Sequence, residues 1–122
     1  MTSTDKKVRY SPESKVQYTP FTAAEGVTQA FRILEGRWKM LILFHLFGEQ
    51  TRRFSELEKA IPDISQKMLI QQLRQLEADG VVTRTVHPQV PPKVEYSLTE
   101  WGQTLCPALD AILSWAEQRP DR

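Results

Sequence analysis

The 122-residue sequence predicts a mainly α-helical domain with one small β-hairpin. Three observations within residues 65–102 predict it. Leu69, Leu73 and Leu76 recur at i, i+4 and i+7, the spacing of one buried helix stripe, and Gly80 follows where a left-handed cap is wanted. Two alternating, β-branched runs, residues 82–86 and 93–98, then flank a tip rich in proline. A fresh helix start appears at Thr99. A helix that feeds straight into a basic hairpin is the layout of a winged helix-turn-helix, and that layout suits a grip on duplex DNA.

Taken in order, residues 1–20 are polar, mildly basic and without periodicity, and they read as a mobile arm ahead of a domain spanning 21–122. Lys6, Lys7, Arg9 and Lys15 are positioned there to touch DNA, although a solvated tail is the commoner outcome. Residues 21–34 read as a first helix with Val27, Phe31 and Leu34 on one stripe. Gly36 separates it from a second, residues 38–47, apolar almost all round and so expected at the buried centre. Residues 51–54 suit a short strand. Ser55 is the expected cap of a third helix, with Glu58 closing a capping box and Pro62 ending it.

Residues 65–79 form the fourth helix, roughly 22 Å long at 1.5 Å per residue. Ser65 is its N-cap, and Ile64 with Leu69 can staple its start. Lys67, Gln71 and Arg74 face away from the leucine stripe, with Gln66 and Ile70 at its flank. That face offers an ammonium for phosphate, an amide matched to adenine and a guanidinium matched to guanine. Exposed Lys, Gln and Arg are more often merely solvated, so the face alone decides nothing.

In the hairpin, Val94, Tyr96 and Leu98 share one side, and Pro88, Pro91 and Pro92 stiffen the tip. Arg84, His87 and Lys93 stand at the base of this loop, suited to a phosphate backbone or a minor groove. A ribbon whose prolines merely protect an edge fits the same residues; its place directly after the helix favours a wing. The last helix opens at Thr99 and carries Trp101, Leu105, Ala108, Leu109, Ile112 and Ala116 on one face, widened by Leu113 and Trp115. Large apolar faces rarely stay exposed, which favours a dimer seam over packing within one chain. Pro107 should bend this helix by removing one backbone hydrogen bond.

Composition sets limits. A net charge of +1 means that DNA binding must rest on positive residues gathered on one face. One cysteine excludes an intramolecular disulfide and suits a reducing cytoplasm. Neither a signal peptide nor an apolar run long enough for a bilayer is visible, so no membrane partner is expected. His45, His87 and Cys106 form no metal-ligand spacing and no nucleophile motif, and the glycines form no phosphate loop; no enzyme, metal or cofactor is expected. His45 reads as a core or interface ring with a hydrogen-bonded nitrogen, His87 as a phosphate neighbour or merely exposed.

The motifs Gly36-Arg37-Trp38, Arg53-Phe54-Ser55-Glu56-Leu57, Ile64-Ser65-Gln66-Lys67-Met68-Leu69, Leu73-Arg74-Gln75-Leu76-Glu77-Ala78-Asp79-Gly80 and Val90-Pro91-Pro92-Lys93-Val94-Glu95-Tyr96-Ser97-Leu98-Thr99-Glu100-Trp101-Gly102 stand in this order. Together they closely resemble the HxlR family of bacterial transcriptional regulators. The resemblance spans residues 26–116. It implies a winged helix-turn-helix homodimer, related in fold to MarR regulators, on double-stranded operator DNA. Residues 55–60 would be the positioning helix and 65–79 the recognition helix. Ser65, Gln66, Lys67, Ile70, Gln71 and Arg74, with Arg84, His87 and Lys93 of the wing, are then the expected DNA contacts. Val27, Phe31, Leu105, Leu109, Ile112, Leu113 and Trp115 are the expected dimer seam, built from the first and last helices.

One departure matters. Many members of the family carry a sensor cysteine, in a Cys-Pro pair, thirteen residues ahead of the tryptophan of the Gly-Arg/Lys-Trp motif; here that position is Glu25, followed by Gly26. A thiol switch of that kind is therefore absent. Cys106, more than a turn past the Thr99 cap and next to Asp110 on the helix surface, is expected to be an inert, partly buried thiol. An effector pocket at a dimer seam would be assembled from residues far apart in the chain, so the sequence assigns no small-molecule effector. The reading from a different class is a winged helix that binds protein and has no DNA affinity of its own. Such a module would more often show aromatic or aliphatic anchors where Lys67, Gln71, Arg74 and Lys93 stand.

Overall fold

The computed structural model describes residues 17–120. The basic positions Lys6, Lys7, Arg9 and Lys15, and most of the expected arm, lie outside these residues. The chain divides into two compact units after Glu35, with Gly36 at φ +97° opening the second. The sequence reading had placed its boundary at residue 20. Each unit is described by itself.

The first unit contains α1, Pro20–Ile33. Thr19 caps it. The Thr22 amide donates to Thr19 Oγ1 at 3.2 Å, and the Thr19 amide donates to Thr22 Oγ1 at 2.9 Å. Pro20 occupies the first turn, where its missing N–H costs nothing. Val27 and Phe31 are exposed, at 51 % and 55 %.

The second unit holds α2 (Arg37–Leu46), β1 (Arg52–Arg53), α3 (Phe54–Ala60), α4 (Gln66–Ala78), β2 (Val82–His87), β3 (Lys93–Leu98), α5 (Glu100–Gln103) and α6 (Leu105–Glu117). The strands form one antiparallel sheet in the order β1-β3-β2. α2 packs against α3, α4 and β3, and α4 packs against β2. Ile42, Leu43 and Leu46 of α2, Leu57 of α3, and Leu69, Leu73 and Leu76 of α4 are almost wholly buried. A fully buried leucine contributes about 1.5–3 kcal/mol, so the leucine stripe read from the sequence holds α4 to the core.

Three local expectations are corrected. α2 is not buried all round: Leu41 and Phe44 remain exposed while Lys39 is buried. α3 is not capped by Ser55. It begins at Phe54 directly from the strand, and the Arg53 amide donates to Glu56 Oε1 at 2.7 Å. A carboxylate at the third helical position needs only the cap's own N–H, so the helix can start two residues earlier without a serine cap. The terminal helix is interrupted at Thr104 rather than simply bent. Pro107 has no N–H for the Gln103 carbonyl and its ring crowds that carbonyl, so a new helix starts at Leu105 with Pro107 in its first turn. Cys106, half-buried, therefore lies in a first helical turn and not well inside a long helix.

Candidate nucleic-acid interface

α4 is built as the sequence indicates. Ser65 Oγ accepts from the Met68 amide at 3.0 Å, and Gly80 follows the helix at φ +79°. With its hydroxyl in the cap, Ser65 meets any ligand as a fixed edge of the helix start. Gln66, Lys67, Gln71 and Arg74 are exposed and Ile70 is half-buried. All five line one shallow depression together with Gln75 and Ala78. The turn between α3 and α4 is closed by the Ile61 amide on the Leu57 carbonyl, at 3.0 Å, and by the Ile64 amide on the Ile61 carbonyl, at 3.2 Å. Ile61 and Ile64 are buried, so the turn is pinned to the core and α4 is presented on a rigid base.

The strand register separates the three expected wing cations. Val82 pairs with Leu98, Arg84 with Tyr96 and Val86 with Val94, while Thr83 pairs with Ser97, Thr85 with Glu95 and His87 with Lys93. Opposed residues share a face, so Arg84 lies with Tyr96 and Val94, and His87 and Lys93 lie on the other side. Arg84 joins Phe54, Gln66, Ile70, Arg74, Glu77, Val94 and Tyr96 around a groove of about 470 Å³ between α4 and the sheet. Arg84 thus belongs with α4, not with the base of the wing tip. The signal was in the alternation: Arg84 has the parity of Val82 and Val86, and His87 that of Thr83 and Thr85.

On the outward face, Glu95 engages both remaining side chains. His87 Nε2 donates to Glu95 Oε1 at 2.6 Å, and Lys93 Nζ lies 3.4 Å from Glu95 Oε2. The hydrogen bond from His87 is the chief reason that Glu95 is held below the ordinary carboxylate range. Partial burial opposes it, and the Lys93 charge adds to it. His87 is therefore not merely exposed: its ring is held by Glu95. Sequence reasoning passed over Glu95, although its place two residues from Lys93 on one strand put the two on the same face. The tip carries a cis Val90–Pro91 bond.

Elsewhere, His45 is half-buried and its Nδ1–H donates to the Leu41 carbonyl at 2.8 Å, as a ring satisfied within its own helix. Among the described residues no cluster of His, Cys, Asp and Glu is arranged to hold a metal, and no helix is long and apolar enough to cross a membrane. Of the residues expected at a dimer seam, Ile112, Leu113 and Trp115 are exposed at 46 %, 48 % and 76 %. Leu105 is half-buried. Leu109 is only 5 % exposed, so it is spent inside its own chain and is not displayed.

Helices packed around a turn, the last of them exposed along its polar face and followed by an antiparallel ribbon, define a winged helix-turn-helix protein. The profile described as HxlR-like helix-turn-helix matches residues 33–122, and the chain belongs to that family. It is 51 % identical over 90 residues to the uncharacterized HTH-type transcriptional regulator YdeP of Bacillus subtilis, covering 74 % of this chain and 70 % of that one. Among solved structures, the redox regulator HypR in its reduced form superposes with a TM-score of 0.70 at 46 % identity, covering 75 % of this chain and 90 % of that one. A regulator assigned to the MarR family from Enterococcus faecalis V583 gives 0.75 at 34 %, covering 85 % and 92 %. The chain is a transcriptional regulator with a helix-turn-helix DNA-binding fold, and not an enzyme.

Proposed function

We propose that the protein acts as a homodimer on a pseudo-palindromic operator, with α4 in the major groove and the β2–β3 wing on flanking backbone or minor groove. The observation that carries this reading is the exposed α4 face. Lys67, Gln71 and Arg74 stand on it with Ile70 as the only apolar residue among the expected contacts, and leucines fix the opposite side to the core. Side chains of these types match base edges and phosphate and are poor anchors for a protein partner. Arg84 of β2 borders the same helix across the groove, with Gln66 of α4 on the facing wall. A monomer reads one half-site, and two copies related by a twofold axis present their helices to successive major grooves about 34 Å apart. Ile112, Leu113 and Trp115 on α6, with Val27 and Phe31 on α1, supply the apolar surface for such a seam. A regulator of this kind works in the cytoplasm, where bacterial DNA lies.

Selection of bound sequences from a pool of random duplex DNA, with the full chain, tests the reading. Enrichment of one site with twofold symmetry and half-sites a helical turn apart is expected. Recovery of no preferred sequence, with salt-sensitive binding to every duplex or none at all, would leave the fold standing and remove the operator function in favour of a protein-binding winged helix.

A further inference from the structure

The outward face of the wing ribbon carries Lys93, Glu95 and His87 on neighbouring β2 and β3 positions, and Arg84 is turned away from it. Lys93 and Glu95 bring opposite charges to that face, and Arg53, paired with Glu95 across the β1–β3 register, adds a further positive one. Arg53 of β1 stands at the same register as Glu95, and Thr85 of β2 is opposite. Among the described residues Glu95 is hydrogen-bonded to His87 and ion-paired with Lys93. The His87 and Lys93 side chains are 39 % and 27 % exposed, so both are within reach of an arriving ligand.

We propose that Glu95 is an internal competitor for DNA phosphate: its carboxylate occupies His87 and Lys93 in the free protein and must give them up when the wing meets the backbone. Carboxylate and phosphate are both oxyanions, and each can accept from the His87 Nε2–H and the Lys93 ammonium. A partly solvent-screened pair of this kind is weaker than a buried one and can be exchanged. The wing then gains little from an isolated phosphate and commits only where α4 already holds the duplex in place. Glu95 in this way lowers binding to arbitrary DNA and widens the margin for a selected site. The inference rests on the wing contacting backbone, as proposed above.

The test compares the full chain with Glu95→Gln, His87→Ala/Lys93→Ala, and the triple variant, on a random-sequence duplex and on the selected operator. Affinity is measured across a salt series, with thermal melts to confirm folding. Glu95→Gln should tighten random-duplex binding by about 2- to 5-fold at low salt. It should also steepen the dependence of log affinity on log salt by about one unit, as expected for one more neutralised phosphate. The His87→Ala/Lys93→Ala pair should weaken binding, and adding Glu95→Gln to it should restore nothing. Unchanged or weaker binding by Glu95→Gln, with the pair still harmful, makes Glu95 a positioning residue and overturns the competitor. A gain that persists in the triple variant shows only long-range charge and overturns it too. A harmless pair variant removes the wing from the DNA, and the reading beneath falls with it. Glu95→Thr, uncharged and suited to a strand, serves the same comparison where Glu95→Gln melts early.

Discussion

Gly102 lies so close to the carbonyl oxygen of Val81 that a β-carbon at position 102 would overlap that oxygen. The approach is fixed by Thr99. Its hydroxyl donates to the Gly80 carbonyl at 2.7 Å and accepts from the Gly102 amide at 3.0 Å, and its own amide donates to the Val81 carbonyl at 3.0 Å. The start of α5 is thereby stitched to the residues that close α4, and the β2–β3 ribbon between them is tied at its base.

Gly102→Ala should therefore destabilise the chain by about 1–3 kcal/mol, the usual range for forcing an extra carbon into a packed site. The urea midpoint should fall at unchanged slope. Gly26→Ala is the contrasting case. Nothing lies within 4 Å of a β-carbon there, and alanine in a helix interior is favoured by about 0.8–1.0 kcal/mol. Equal midpoints for Gly102→Ala and the native chain would show that α5 can swing away from Val81 without loss.

Acidification should reach Glu95 late. Its carboxyl is held below the ordinary range first by the His87 hydrogen bond, then by Lys93, against partial burial. A depressed carboxylate contributes stability above its unfolded-state value and loses that contribution as pH falls through the folded value. A carbon-13 titration of the Glu95 carboxyl should place it below the ordinary glutamate range. His87→Ala should raise it more than Lys93→Ala does. The reverse order would mean that charge, and not the hydrogen bond, sets the shift.

Arg74→Ala should cost about 1–3 kcal/mol in operator binding and relax the preference at particular base pairs, as loss of a base-edge contact does. Lys93→Ala should weaken operator binding without relaxing the preference at any base pair and flatten the salt slope there by about one unit. A folded Arg74→Ala protein with unchanged affinity and preference takes α4 out of the reading role.

Trp115→Asp isolates the seam. Trp115 is 76 % exposed in the single chain, so a charge there should leave folding of one copy almost untouched. In a dimer the same charge would be buried without a partner, and burial of an unpaired charge is costly. Light scattering should show a shift to monomer, with operator affinity sharply reduced. A native protein that is monomeric at micromolar concentration while binding a full operator tightly and without cooperativity would contradict the dimer.

Much of the interface was legible because its determinants are local. The stripe Leu69, Leu73 and Leu76, the Ser65 cap and the Gly80 terminator fix α4 and its exposed face through helix geometry alone, and the ribbon followed from alternation. The α3 cap was not legible. Both Ser55 and Arg53 have a glutamate three residues on, and only the end of β1 at Arg53 decides which amide is left to be capped. Leu109 looked like its neighbours on α6, and burial within the chain separated it from Ile112, Leu113 and Trp115.

By itself the sequence determined the winged helix-turn-helix order, the exposed polar face of α4 and the family, because periodicity, caps and turn residues act over a few positions. Only the tertiary structure decided which cations are free. The pairing of β2 with β3 sends Arg84 to the α4 groove and brings His87, eight residues away along the chain, onto the carboxylate of Glu95. It also decided that position 102 must be glycine, since the oxygen that excludes a side chain there belongs to Val81, across the whole ribbon. Contacts of that kind depend on how strands register and where helix ends meet, and no local rule of the chain encodes them.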